Sequence, residues 1–141
     1  MSQSYSDVVR TARDYYNSED ADNFYLHIWG GEDIHIGLYQ SEREDIAAAS
    51  RRTVERLADR LPPIGADARI LDIGSGYGGA ARYLAKRFGC EVVALNLSEK
   101  ENQRNRELST DAGLGGLVNV VDGSFEAIPL EDASVDVVWS Q

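Results

Sequence analysis

The 141-residue sequence has a single cysteine, Cys90, so no disulfide can form within it. No apolar run approaches the roughly 18 residues that a membrane-spanning helix needs. The opening M-S-Q-S-Y-S-D-V-V-R has no basic segment followed by an apolar one, so neither a secretory leader nor a membrane anchor is expected. Together these absences favour a reducing, cytoplasmic setting. The only two histidines, His27 and His35, stand eight positions apart with no cysteine nearby, so no metal site is expected. Lysine is scarce as well, with Lys86 and Lys100 set against twelve arginines.

Acid is abundant. The 24 acidic residues against 14 basic ones give a formal charge of -10, which argues against nucleic acid and anionic membranes as partners. An acidic, lysine-poor surface suits a salt-adapted protein and equally an ordinary acidic bacterial one, and composition leaves both open. With 43% apolar residues, a chain of this length can bury one core.

Val8, Ala12, Tyr15 and Tyr16 recur at helical spacing, and Asn17-Ser18 then breaks the pattern and can cap a second helix. That second segment gathers Phe24, Tyr25, Leu26, Ile28 and Trp29 before Gly30-Gly31, either packing on the core or roofing a pocket. Residues 32–39, E-D-I-H-I-G-L-Y, read as a loop or short extended piece. An amphipathic helix is expected over residues 41–61, ended by Pro62-Pro63, so a boundary near Pro62 separates a helical appendage (1–62) from an α/β core (63–141).

The core begins with I-L-D-I-G-S-G-Y-G-G at residues 70–79, an apolar strand running into a glycine turn. Gly74, Gly76 and Gly79 match the dinucleotide fingerprint and let backbone approach a ligand. Asp72, two places earlier, would repel a pyrophosphate and suits a ligand carrying positive charge. A helix then ends at Gly89, and residues 90–97 form a second strand. The capping box Ser98-Glu99-Lys100-Glu101 opens a helix to about Ala112, and strands follow at residues 117–121 and 135–139.

Strands alternating with helices at this spacing imply a doubly wound parallel sheet that binds ligands beyond the carboxyl ends of its strands. Asn96 follows Gly76 by 20 residues, where such folds place an acid on ribose hydroxyls; here an amide takes the position. Asp122-Gly123-Ser124-Phe125, past the third strand, can meet an adenine edge.

The glycine turn, L-N-L-S at the second strand, D-G-S-F-E-A-I-P and S-V-D-V-V-W-S-Q resemble, in order and spacing over residues 67–141, the class I S-adenosylmethionine-dependent methyltransferases. The stretch Y-Y-N-S-E-D-A-D-N-F-Y-L-H-I-W-G-G-E-D-I-H-I-G-L-Y narrows the resemblance to the sarcosine and dimethylglycine N-methyltransferases of glycine betaine synthesis. Cyclopropane fatty-acid and mycolic-acid methyltransferases are more distantly similar. The implied fold is an α/β, Rossmann-like, doubly wound parallel sheet, truncated after its fourth strand, with an N-terminal helical cap over the cofactor and acceptor site.

The resemblance also implies roles. Asp72 would hold the ammonium of S-adenosylmethionine, with Gly74, Ser75 and Gly76 lining it by backbone. Asn96 and Leu97 would meet ribose and adenine. Ser124 stands where relatives often carry an aspartate against the adenine N6, and the Phe125 amide would meet the ring. Trp139 and Ser140 would flank the sulfonium. Residues 29–39 would cover cofactor and acceptor, with Tyr25 and Trp29 as aromatic candidates for a small-molecule amine. Methyl transfer to an amine needs alignment above all, so His35 and Tyr39 are catalytic candidates for positioning rather than for taking a proton. The product would be S-adenosylhomocysteine. Such enzymes carry three further strands, so the chain is expected to be the N-terminal part of a larger enzyme with little activity alone. Methylation of another small molecule or a lipid, and a non-catalytic nucleoside- or dinucleotide-binding module, are the alternatives.

Overall fold

The computed structural model describes residues 4–141; residues 1–3, the start of the stretch expected to hold no leader, lie outside the described residues. Helices α1 (Asp7–Tyr16) and α2 (Glu19–Phe24) lead into a π-helical turn, Tyr25–Trp29, and α3 (Ile46–Ala58) follows a loop. Then come β1 (Arg69–Ile73), α4 (Gly79–Phe88), β2 (Glu91–Asn96), α5 (Glu99–Asp111), β3 (Val118–Asp122), a 3-10 turn (Phe125–Ala127) and β4 (Val137–Trp139). The strands form one parallel sheet in the order β3-β2-β1-β4. The chain winds outward from β1 to β3 and returns to the other side of β1. The β1–β4 junction is therefore the switch point where such sheets open a crevice.

Both sheet faces are covered, which is why β2 reads as an unbroken apolar run rather than an alternating one. Val92 and Ala94 pack with Ile70, Val118 and Trp139 against Val54 and Ala58 of α3 and Ala81, Leu84 and Ala85 of α4. Val93 and Leu95 turn to the other face with Leu71, beside Ile73, Val121, Leu130 and Val135. Burying a side chain such as Leu84 contributes about 1.5–3 kcal/mol. α3, although it precedes Pro62, packs on the same core face as α4.

Local chemistry sets the helix ends. Ser6, Ser18, Asp45 and Ser98 each accept a hydrogen bond from a backbone amide of the first turn that follows. The cap at Asp45 starts α3 later than the expected residue 41, because Glu44 is turned to Arg52 and the stretch before it forms a turn. β4 likewise starts at Val137 rather than 135. Asp136 exchanges two 2.8 Å bonds with the backbone of Arg69, accepting through its carboxylate and donating through its amide, and these occupy the strand's entry.

α5 was legible only from its cap, since its buried face is polar: Glu101, Asn102, Asn105 and Ser109. The capping box is half-formed. Ser98 accepts from the Glu101 amide, but the Glu101 carboxylate accepts from Asn96 Nδ2 at 2.8 Å.

Candidate functional site

β1 delivers the chain into residues 74–79, where Gly74, Gly76 and Gly78 all have positive φ (78°, 54° and 80°), backbone that side chains resist. The chain's own packing uses three of the turn's four glycines. A Cβ on Gly76 would lie 3.1 Å from Ile34, one on Gly78 would lie 2.0 Å from Asn105 Oδ1, and one on Gly79 would lie 2.2 Å from Asp33 Oδ1. Only beside Gly74 is the space open within 4 Å. The Gly74 and Ser75 amides both donate to the Leu95 carbonyl, at 2.8 and 3.1 Å, so these residues offer a ligand closeness rather than donors. The start of α4 is covered by buried Asp33, paired with Arg51 at 2.8 Å, which closes that helix end to a pyrophosphate.

A cavity of about 410 Å³ opens beyond the ends of β1, β2 and β3. Gly74 and Gly76 line it from the turn, Leu95, Asn96 and Leu97 from β2, and Gly123, Ser124, Phe125 and Glu126 from the end of β3. α1 supplies Val8, Val9, Ala12 and Tyr16 on the opposite side, while Ile34, His35, Glu101 and Gln141 complete the wall.

Asp72 lies behind the turn, only 3% exposed, and its Oδ2 has no hydrogen-bond partner among the described residues. Burial alone pushes its carboxyl up to about 7. Ser75 Oγ is likewise buried and unpartnered. Asn96 does not leave the end of β2 without a carboxyl. Through Nδ2 it holds Glu101, whose carboxyl burial pushes up to about 7 against the opposing pull of that hydrogen bond.

His35 sits in the wall, its carbonyl accepting from Trp29 Nε1 at 3.1 Å and Ser50 Oγ at 2.8 Å. Burial, and next the Arg51 cation, lower its pKa, so the imidazole is neutral at neutral pH. Ser124 is buried and caps the 3-10 turn by accepting from the Glu126 amide at 3.1 Å. Phe125 lies beside it, 68% exposed.

Of the sequence-derived candidates, the structure gathers Gly74, Gly76, Asn96, Leu97, Ser124, Phe125 and His35 around one cavity. Others stand elsewhere. Asp72 and Ser75 are behind the wall, and Trp139, paired in register with Asp72, is buried in the core cluster. Ser140 is exposed. Tyr39 is half-exposed in a separate groove with Arg52, Arg56 and Arg60, because the chain turns away after Gly37 packs on Ala49. Tyr25 and Trp29 belong to an aromatic group with Phe24 and Tyr16, and only Tyr16 of these reaches the cavity. Burial pushes the Tyr25 hydroxyl up to about 12. Tyr16 and Glu101 are among the wall residues missed in the sequence, together with Val8, Val9, Ala12, Ile34, Leu95, Glu126 and Gln141; Glu101 was missed because its spacing from Ser98 read as a cap. Among the described residues no three His, Cys, Asp or Glu side chains gather as a metal site.

Residues 71–141 match the family described as methyltransferase domain. The whole chain is 57% identical to the sarcosine/dimethylglycine N-methyltransferase of Halorhodospira halochloris, spanning 51% of that protein. Over 97% of its length it is 64% identical to the glycine/sarcosine/dimethylglycine N-methyltransferase of Actinopolyspora halophila, of which it spans 24%. Among solved structures, a candidate sarcosine dimethylglycine methyltransferase of Galdieria sulphuraria superposes with a TM-score of 0.80 at 46% identity, covering 86% of this chain and 48% of that one. The chain thus spans about half the length of most of these relatives, or less.

Proposed function

The chain belongs to the methyltransferase-domain family, and we propose that the protein to which it contributes transfers methyl groups from S-adenosylmethionine to the amines of sarcosine and dimethylglycine. The observation that carries the cofactor half is the orphaned Asp72 carboxylate behind a turn whose Gly74 faces open space. A buried carboxylate without a partner is costly, and a ligand ammonium would satisfy it. The cavity's remaining polar groups fit the same molecule. Asn96 and the Glu101 carboxylate can accept from ribose hydroxyls, and Leu95, Leu97 and Phe125 present apolar surface to a base.

When bound, S-adenosylmethionine supplies an electrophilic methyl on a sulfonium. The chain's own residues would bind, orient and exclude water: Asp72, behind the Gly74 turn, would hold the amino-acid end, the Asn96–Glu101 pair would hold the sugar, and α1 closes the outer side through Val8, Ala12 and Tyr16. Holding cofactor and amine in a fixed mutual orientation would supply most of the acceleration such a transfer needs. Neutral His35, in the same wall, is suited to positioning an acceptor rather than to taking its proton, because burial and the Arg51 cation lower its basicity.

The acceptor half is supported by the relatives, whose names specify sarcosine and dimethylglycine at 50–64% identity. A cytoplasmic setting, expected from the single Cys90, is part of the proposal; among the described residues no helix is long and apolar enough to cross a membrane. Calorimetric titration tests the cofactor: S-adenosylhomocysteine binds, NAD does not, and Asp72→Ala loses the binding. Preference for NAD, or an unchanged affinity in Asp72→Ala, refutes it.

A further inference from the structure

α2 carries a buried acid that the cavity itself does not use. Asp22, 7% exposed, accepts from Tyr77 Oη at 2.7 Å and Arg104 Nη2 at 3.3 Å, with Lys100 Nζ at 3.6 Å. Each partner belongs to a segment that forms the cavity. Tyr77 is fully buried between Gly76 and Gly78, both held at positive φ, and Lys100 and Arg104 flank Glu101 on α5. The helix next to α2 docks in the same polar way. Asn17 accepts from Ser98 Oγ at 2.7 Å and donates to Glu99 at 2.9 Å, and Arg13 pairs with Glu99. Against these contacts, the only buried apolar side chains of α1 and α2 are Val9 and Ala21.

We propose that Asp22 is a positioning residue for the cofactor cavity: by holding Tyr77 and the first turns of α5 at once, it sets the glycine turn against Glu101 and docks α1 as the cavity's outer wall. Docking of residues 7–24 and occupancy of the cavity are then two sides of one equilibrium. Whatever undocks α1 weakens the ligand, and by reciprocity the ligand holds α1 down. A buried carboxylate shared by a hydroxyl and two cations is suited to this task, because its removal strands three donors in two different segments. The proposal rests on the reading of the cavity as an S-adenosylmethionine site.

The test compares the wild-type protein with Asp22→Ala and Tyr77→Phe, the latter keeping the ring that fills the core and removing only the hydroxyl. Amide hydrogen exchange and S-adenosylhomocysteine titration are read on all three. In the wild type the ligand slows exchange in residues 7–24. Each variant binds about tenfold more weakly, within the range typical of coupled sites, and exchanges faster at residues 74–79 without ligand. The double variant is little worse than either single one, since both cut the same link. A purely structural anchor would lower the melting temperature and leave affinity and turn exchange unmoved, and that outcome overturns the proposal. If the wild type binds no S-adenosylhomocysteine, the cofactor reading falls on its own. Turn exchange in the free variants then decides the positioning role: faster exchange supports it and unchanged exchange refutes it. Should Asp22→Ala fail to fold, Tyr77→Phe carries the same readouts.

Discussion

Lowering the pH from about 8 to about 6 should weaken S-adenosylhomocysteine binding by about tenfold, and the cause lies in Asp72. Burial raises its carboxyl from the usual carboxylate value to about 7. The free protein therefore holds it ionised in about nine-tenths of molecules at pH 8 and about one-tenth at pH 6. Only the ionised form pairs with the ligand's ammonium, so the apparent affinity scales with that fraction, which gives the tenfold change. Glu101, also near 7, adds less, because a protonated carboxyl can still donate to a ribose hydroxyl. Stability of the ligand-free chain moves the opposite way. Between about pH 4 and 7 the folded state keeps a proton that the unfolded state has lost, so Asp72 disfavours folding progressively as pH rises through that window. The assay is calorimetric titration across pH 6–8 in two buffers of different ionisation heat, which also counts the proton released on binding near pH 6. Asp72→Asn should flatten the profile. A change of less than about twofold in the wild type, or the same slope in Asp72→Asn, refutes the assignment.

Two further outcomes follow from packing. Gly79→Ala would place a Cβ 2.2 Å from Asp33 Oδ1 and 2.5 Å from the Glu32 carbonyl, so it should destabilise by about 1–3 kcal/mol and loosen the segment carrying His35. An unchanged melting temperature would show that the close approach is not needed. Leu84→Ala, at a fully buried position facing the sheet, should cost about 2–5 kcal/mol by denaturant titration, and a loss below about 1 kcal/mol would mean that the site collapses to fill the gap.

The strand-to-glycine signal at residues 70–79 was legible because apolar runs and glycine turns are local: β1 (Arg69–Ile73) runs straight into the glycine turn. Helix starts at Ser18 and Ser98 were legible for the same reason, since a cap and its amide lie three residues apart. What could not be read locally was the direction of a polar side chain with two possible partners. Glu101 fits a capping box in sequence, yet its carboxylate turns back to Asn96 at the end of β2. The carboxyl that looked absent at the ribose position is thus supplied from the next element.

Distance along the chain hid the rest. Sequence alone determined the fold class, the glycine turn and the acid beside it, all of which depend on residues within one strand and one turn. Only the tertiary structure decided that α1 walls the cavity and that Tyr39 faces a different groove from His35. It also decided that three of the four glycines serve the protein's own close packing. Those outcomes depend on contacts between segments tens of residues apart, such as the bond from Asp22 to Tyr77, whose geometry is set by the packed sheet and helices and not by local propensity.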